Sequence, residues 1–163
     1  MSRRRVFACP LAAVGLFTLL QVAGCNGWPQ PVPSDLDARR WAVAWIGALN
    51  SRTVEQLDGL LPPDARYWSS AFGTWIGAEK LPRHVQGYWR LFPNGQVQQR
   101  AVHRGPGSIV IEWWAWPDRL DDKKRWRGVS IFFLRQGRVR DVVTFFDPTV
   151  LLPYVYRDEP EKR

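Results

Sequence analysis

Arg125-Trp126-Arg127-Gly128-Val129-Ser130-Ile131-Phe132-Phe133-Leu134-Arg135, then Gln136-Gly137, then Arg138-Val139-Arg140-Asp141-Val142-Val143-Thr144-Phe145-Phe146-Asp147, is the stretch that decides the fold. Both arms are rich in β-branched and aromatic residues, and the Gln-Gly link is a two-residue hairpin turn. Two more runs of the same kind precede it, Gln96–His103 and Ser108–Trp116. Gly105-Pro106-Gly107 separates these two, and the polar loop 117–124 follows them. Links this short join antiparallel neighbours. The last third of the chain therefore reads as four long antiparallel strands in sequential order.

Upstream the period changes. Trp41, Val43, Ala44, Trp45, Ala48 and Leu49 recur at three-to-four spacing and predict a helix over 37–50, with Ser34, Asp35 and Asp37 as cap candidates. Asn50-Ser51-Arg52 is a break. A second short helix carries Val54, Leu57, Leu60 and Leu61 and stops at Pro62-Pro63. Residues 65–69 and 71–76 form a small aromatic hairpin. A third helix, 78–91, presents Leu81, Val85, Tyr88 and Trp89, with Pro82 near its first turn, and Pro93-Asn94-Gly95 ends it. The plan is α+β, three N-terminal helices and a short hairpin packed on a curved sheet of four long antiparallel strands.

The chain has 163 residues, a formal charge of +8 and two cysteines, which excludes a disulfide-rich scaffold. There is no Cys/His cluster, so we expect no metal and no cofactor. The N-terminus reads as an address. Arg3-Arg4-Arg5 precedes an uncharged, mostly apolar run, Val6 to Leu20, shorter than the roughly 20 residues a membrane-spanning helix needs. Val22-Ala23-Gly24-Cys25 then resembles the bacterial lipobox. The resemblance implies lipid on the Cys25 sulfur and removal of residues 1–24; the alternative is an ordinary secretory signal. Cleavage would take away three arginines and no acid, leaving +5. Arg4-Arg5-Val6-Phe7 also resembles a twin-arginine core, against a plain basic start. Residues 25–37, with three prolines between Pro29 and Pro33, read as a tether, or else as an ordered arm packed by Trp28. The expected address is the bacterial cell envelope, on the exported face of a membrane. Nucleic acid is not an expected partner for such a chain.

Four pieces in order resemble the SnoaL-like or nuclear-transport-factor-2-like superfamily over residues 38–148, with 149–163 left as a tail. Trp45-Ile46-Gly47-Ala48-Leu49-Asn50 resembles its first-helix signature. Gly77-Ala78-Glu79-Lys80-Leu81 resembles the opening of its third helix. Residues 127–134 with Gly137-Arg138-Val139 resemble its penultimate strand and turn, and Phe145-Phe146-Asp147 its closing motif. The resemblance implies a cone whose curved sheet and helices enclose a pocket.

It also implies where catalytic relatives keep their chemistry. Ketosteroid isomerases place a tyrosine where this chain has Trp45, an aspartate in the stretch Tyr67-Trp68-Ser69-Ser70, and a protonated aspartate in the stretch 129–134; none is present. Limonene-epoxide hydrolases place an Arg-x-Asp pair at Trp113 and Ala115 and an aspartate at Thr144; these are vacant too. The remaining acids are Glu112, Asp141 and Asp147. Glu112, alternating with Val110, Trp114 and Trp116, is either a lone acid in the cavity or an arginine-paired acid on the outer face. Asp141 is expected to pair across strands with Arg135, and Asp147 to cap the chain's exit. His103 reads as a surface residue, and His84 is placed on the polar side of its helix with no role. The pocket is expected to be lined by Trp41, Trp45, Tyr67, Phe72, Trp75, Trp89, Trp113 and Phe132, a set suited to an apolar ligand, unless the rings simply fill the cone. The vacant positions favour a binding module over an isomerase or hydrolase built on Glu112, and the open sheet face suggests a homodimer.

Overall fold

The computed structural model describes residues 31–155. The signal-peptide and Cys25 readings therefore lie outside the described residues. Helix α1 spans Asp35–Ser51; the Ser34 hydroxyl accepts the Asp37 N–H, and Asp35 and Asp37 sit in the first turn, where the helix dipole favours acids. Its buried face is Ala38, Ala42, Trp45, Ile46 and Ala48. Three alanines let the backbone lie close to the sheet, and one large ring fills the space between. The helix stops where Arg52 takes a left-handed φ of 59°.

The second helix is a correction. Only one 3-10 turn forms, Val54–Gln56, because Gly59 adopts a left-handed φ of 71° and two prolines follow. Leu57 and Leu61 are still buried, so the apolar stripe was read correctly and its regularity was not. Helix α2 spans Leu81–Leu91 behind a 3-10 turn at Ala78–Lys80.

The sheet is also larger than expected. Its strands are β1 Arg66–Ser69, β2 Trp75–Gly77, β3 Gln96–Gly105, β4 Ser108–Trp116, β5 Trp126–Arg135 and β6 Arg138–Phe146. The order is β2-β1-β6-β5-β4-β3. The four late strands are antiparallel neighbours as read, but β1 pairs with β6 in parallel, so the sheet is six-stranded and mixed. The late hairpins leave one side of β6 unpaired, and the β1–β2 hairpin covers it.

The register sets two faces. Ile109, Ile111, Trp113 and Ala115 of β4 point inward with Ser130 and Phe132 of β5, Val142 and Thr144 of β6, and Tyr67 and Ser69 of β1. Val110, Glu112 and Trp114 share the outer face with Val129, Ile131, Phe133, Phe145 and Trp68. Register shifts occur at Arg100 in β3 and Arg140 in β6.

Both ends of the described chain dock on this body. The Gly107 N–H donates to the Pro31 carbonyl (3.2 Å) and the Arg104 guanidinium to the Pro33 carbonyl (3.0 Å). Residues 31–34 are thus tied to the β3–β4 turn by two backbone carbonyls while their side chains stay mostly exposed. After β6, a 3-10 turn at Pro148–Leu151 leads into the single helical turn α3, Leu152–Val155, and Tyr154 meets the buried Phe92 edge-on at 4.8 Å. The start of the expected tail is part of the wall.

Candidate functional site

Between α1, α2, the inner sheet face and the C-terminal turn lies a partly open cavity of about 520 Å³. Trp45 and Leu49 come from α1, Val85 and Tyr88 from α2, Trp113 and Phe146 from the sheet, and Leu151 and Val155 from the chain's exit. Four of the eight expected rings line it: Trp45, Tyr67, Phe72 and Trp113. The other four are corrections. Phe132 is fully buried between Trp41 (5.7 Å) and Trp45 (5.2 Å), so it supports the wall from behind. Trp41 instead borders a separate, smaller hollow with Pro31 and Pro33. Trp89 lies on the flank of α2, where its indole N–H donates to the Leu49 carbonyl (2.8 Å) and ties the two helices together. Trp75 is 45% exposed, with the Arg66 guanidinium over its ring at 4.8 Å.

The polar groups of the wall form a row across four strands. The Trp113 indole N–H donates to Ser130 Oγ (3.1 Å), which is hydrogen-bonded to Thr144 Oγ1 (3.0 Å), and Tyr67 and Ser69 of β1 stand beside Thr144 on the same face. Burial pushes the Tyr67 and Tyr88 phenols above their ordinary range, so both stay protonated. No carboxylate lines the cavity among the described residues, and Arg90, exposed, is its one arginine or lysine. The buried Trp45 indole N–H has no hydrogen-bond partner.

His84 is the residue that sequence reasoning missed. It lines the cavity, its ring edge-on to Phe72 (4.3 Å) and Tyr67 (5.2 Å), and burial lowers its pKa. The signal was present. Leu81, His84, Val85 and Tyr88 are spaced three, one and three apart, which is one helical stripe.

The acids lie elsewhere. Glu112 is on the outer face, in contact with Arg100 and with His103 Nε2 at 2.8 Å; the His103 hydrogen bond, with Arg100 adding to it, holds its carboxyl below the usual range. That is the arginine-paired alternative, and the cavity-acid alternative falls. Asp141 pairs with Arg66 Nε (2.7 Å), not Arg135, because β1 lies beside β6 and sets Arg66 opposite it. Asp147 caps the exit as expected, accepting from the Thr149 N–H (2.9 Å) and hydroxyl (2.7 Å), which lower its pKa. Among the described residues no cluster of three or more His, Cys, Asp or Glu is placed to hold a metal.

With this geometry in place, the comparisons are informative. A family model described as a SnoaL-like domain matches residues 42–142, and the chain belongs to that family. Similar solved structures include a loop-truncation variant of IdmH (17% identity, 72% of this chain and 98% of that one, TM-score 0.61). Others are a candidate ketosteroid isomerase from Kribbella flavida DSM 17836 (23%, 68% and 77%, 0.53) and a candidate SnoaL-like polyketide cyclase from Jannaschia sp. CCS1 (14%, 82% and 100%, 0.61). At these identities the likeness establishes the nuclear-transport-factor-2-like fold. No curated protein matches the chain in sequence.

Proposed function

We propose that this SnoaL-like domain is a binding module for an uncharged, largely apolar small molecule, carried on the exported face of a bacterial membrane by lipid on Cys25. The observation that carries the reading is the cavity wall itself. Of the positions and stretches where the resemblance implies catalytic groups, Trp45, Tyr67, Ser69, Trp113, Ser130 and Thr144 border the cavity, each a ring or a neutral hydroxyl, while Ala115 is buried outside its lining. Such a wall gains about 25 cal/mol per Å² of apolar ligand surface removed from water. A few hundred Å² yields several kcal/mol before ordering costs. The alternative enzyme built on Glu112 loses support, since that carboxylate is paired on the opposite face.

The test is binding of an apolar fluorescent dye, with Trp45→Ala altering its affinity. A wild-type chain that leaves the dye unbound would sink the proposal. Lipid attachment is tested separately: Cys25→Ser should abolish labelled-lipid incorporation and leave an unprocessed precursor. A homodimer through the open sheet face is part of the same reading, supported by Phe133 and Phe145, 43% and 45% exposed on that face.

A further inference from the structure

The polar groups of the cavity are unequal in one respect. Trp113, Ser130 and Thr144 engage one another and Ser69 accepts the Ala71 N–H, so a ligand that bonds to any of these competes with a bond already made. The Trp45 indole N–H is unpartnered but sealed from the cavity, with Phe132 edge-on to its ring. The exceptions are the Tyr88 hydroxyl, a weak acceptor, and His84, a stronger one. Its neighbours are the rings of Phe72 and Tyr67, and no hydrogen bond engages either of its ring nitrogens among the described residues.

A neutral imidazole carries one N–H donor and one lone-pair acceptor. In an apolar cavity an unused acceptor discriminates strongly, because a ligand hydroxyl that meets it recovers a bond otherwise lost on leaving water. We infer that His84 is the specificity residue of the cavity, selecting a ligand with an apolar ring body and one hydroxyl or N–H donor, and releasing it on acidification. The inference rests on the binding reading above and adds the ligand's chemical class and its control.

The groups facing His84 support control by this residue alone. The loop between β1 and β2 contributes Phe72, and β1 contributes Tyr67. Helix α2 contributes Tyr88 and the exposed Arg90, and the C-terminal turn contributes Leu151 and Val155. Burial keeps both phenols protonated, so His84 is the lining group that gains a charge on acidification, at a pH below the ordinary imidazole value because burial disfavours the imidazolium. Once protonated it is a donor only, and it places a cation among rings that had closed around a neutral molecule.

The experiment uses the full chain in lipid nanodiscs, with protein-free discs as the blank for partitioning. Binding of 2-naphthol is compared with that of 2-methoxynaphthalene, which keeps the rings and lacks the donor. At pH 7.5 the naphthol should bind about five- to tenfold more tightly, and that advantage should shrink steadily as the solution is acidified below the ordinary imidazole range. His84→Phe should erase the preference without weakening the methoxy compound. His84→Gln, which keeps an acceptor that does not titrate, should retain the preference and lose its pH dependence. Equal binding of both compounds to the wild type, or a preference that survives in His84→Phe, overturns the inference and leaves the cavity reading standing. Failure of both compounds to bind overturns both.

Discussion

The ring of Trp113 fills the space that a Cβ on Gly128 would need. The two residues face each other across β4 and β5, and an added methyl would lie well inside van der Waals contact with the six-membered ring. Gly128→Ala should therefore cost about 1–3 kcal/mol through overpacking, read as a lower denaturation midpoint. It should also weaken dye binding, because the displaced indole moves into the cavity. A variant as stable as the wild type would show that the ring has room to shift.

Ser130 joins Trp113 to Thr144, and all three are nearly fully buried. Ser130→Ala strands the indole N–H and should cost about 1–3 kcal/mol. In a Trp113→Phe background the same change should cost less. A double-mutant cycle with coupling below about 0.5 kcal/mol would deny the bond any energetic role.

Acid should destabilise the fold through His84. Burial lowers its folded pKa, so as pH falls below the unfolded value of about 6.5 the unfolded chain binds a proton that the folded chain does not. Stability is full above that window and declines as pH falls through it. Melting temperature should drop between pH 7.5 and 5, and His84→Gln should flatten that segment. Glu112 acts in a lower window: its depressed pKa contributes stability above the ordinary carboxylate value that is lost as pH falls through the folded one. An unchanged slope in His84→Gln would assign the acid sensitivity elsewhere.

The dimer expectation is checked by sedimentation. The wild-type chain should sediment as a dimer, and Phe133→Glu with Phe145→Glu as a folded monomer, since both rings stand on the open face. A monomeric wild type would remove the expectation.

Local patterns carried most of these elements in the sequence. The Gln136-Gly137 turn and the alternation on either side predicted β5 and β6, and the aromatic spacing in α1 put Trp45 on the buried side. What failed was non-local. Nothing in Arg66–Ser69 says that it will lie parallel to the last strand, so the Asp141 partner was misassigned. The bulge at Arg100 was equally hidden. Arg100 and His103, three apart, fall on opposite faces of a regular strand, yet both reach Glu112 here. For the site, the rings were half right, because facing a cavity and backing its wall look alike in a hydrophobic period. His84 was lost to residue type, since a histidine was counted as polar where its position on the helical stripe turns it, half-buried, toward the cavity.

The parallel pairing of β1 with β6 also has a kinetic meaning. Arg66 and Asp141 are 75 positions apart. Closing so long a loop is entropically slow, and the reward arrives only when the final strand is available. During synthesis the N-terminal hairpin must wait, its edge unmatched, until nearly the whole chain has emerged. Truncations that remove β6 should accordingly yield no folded fragment, and the β1–β2 hairpin is the segment most exposed to misassociation in the interval.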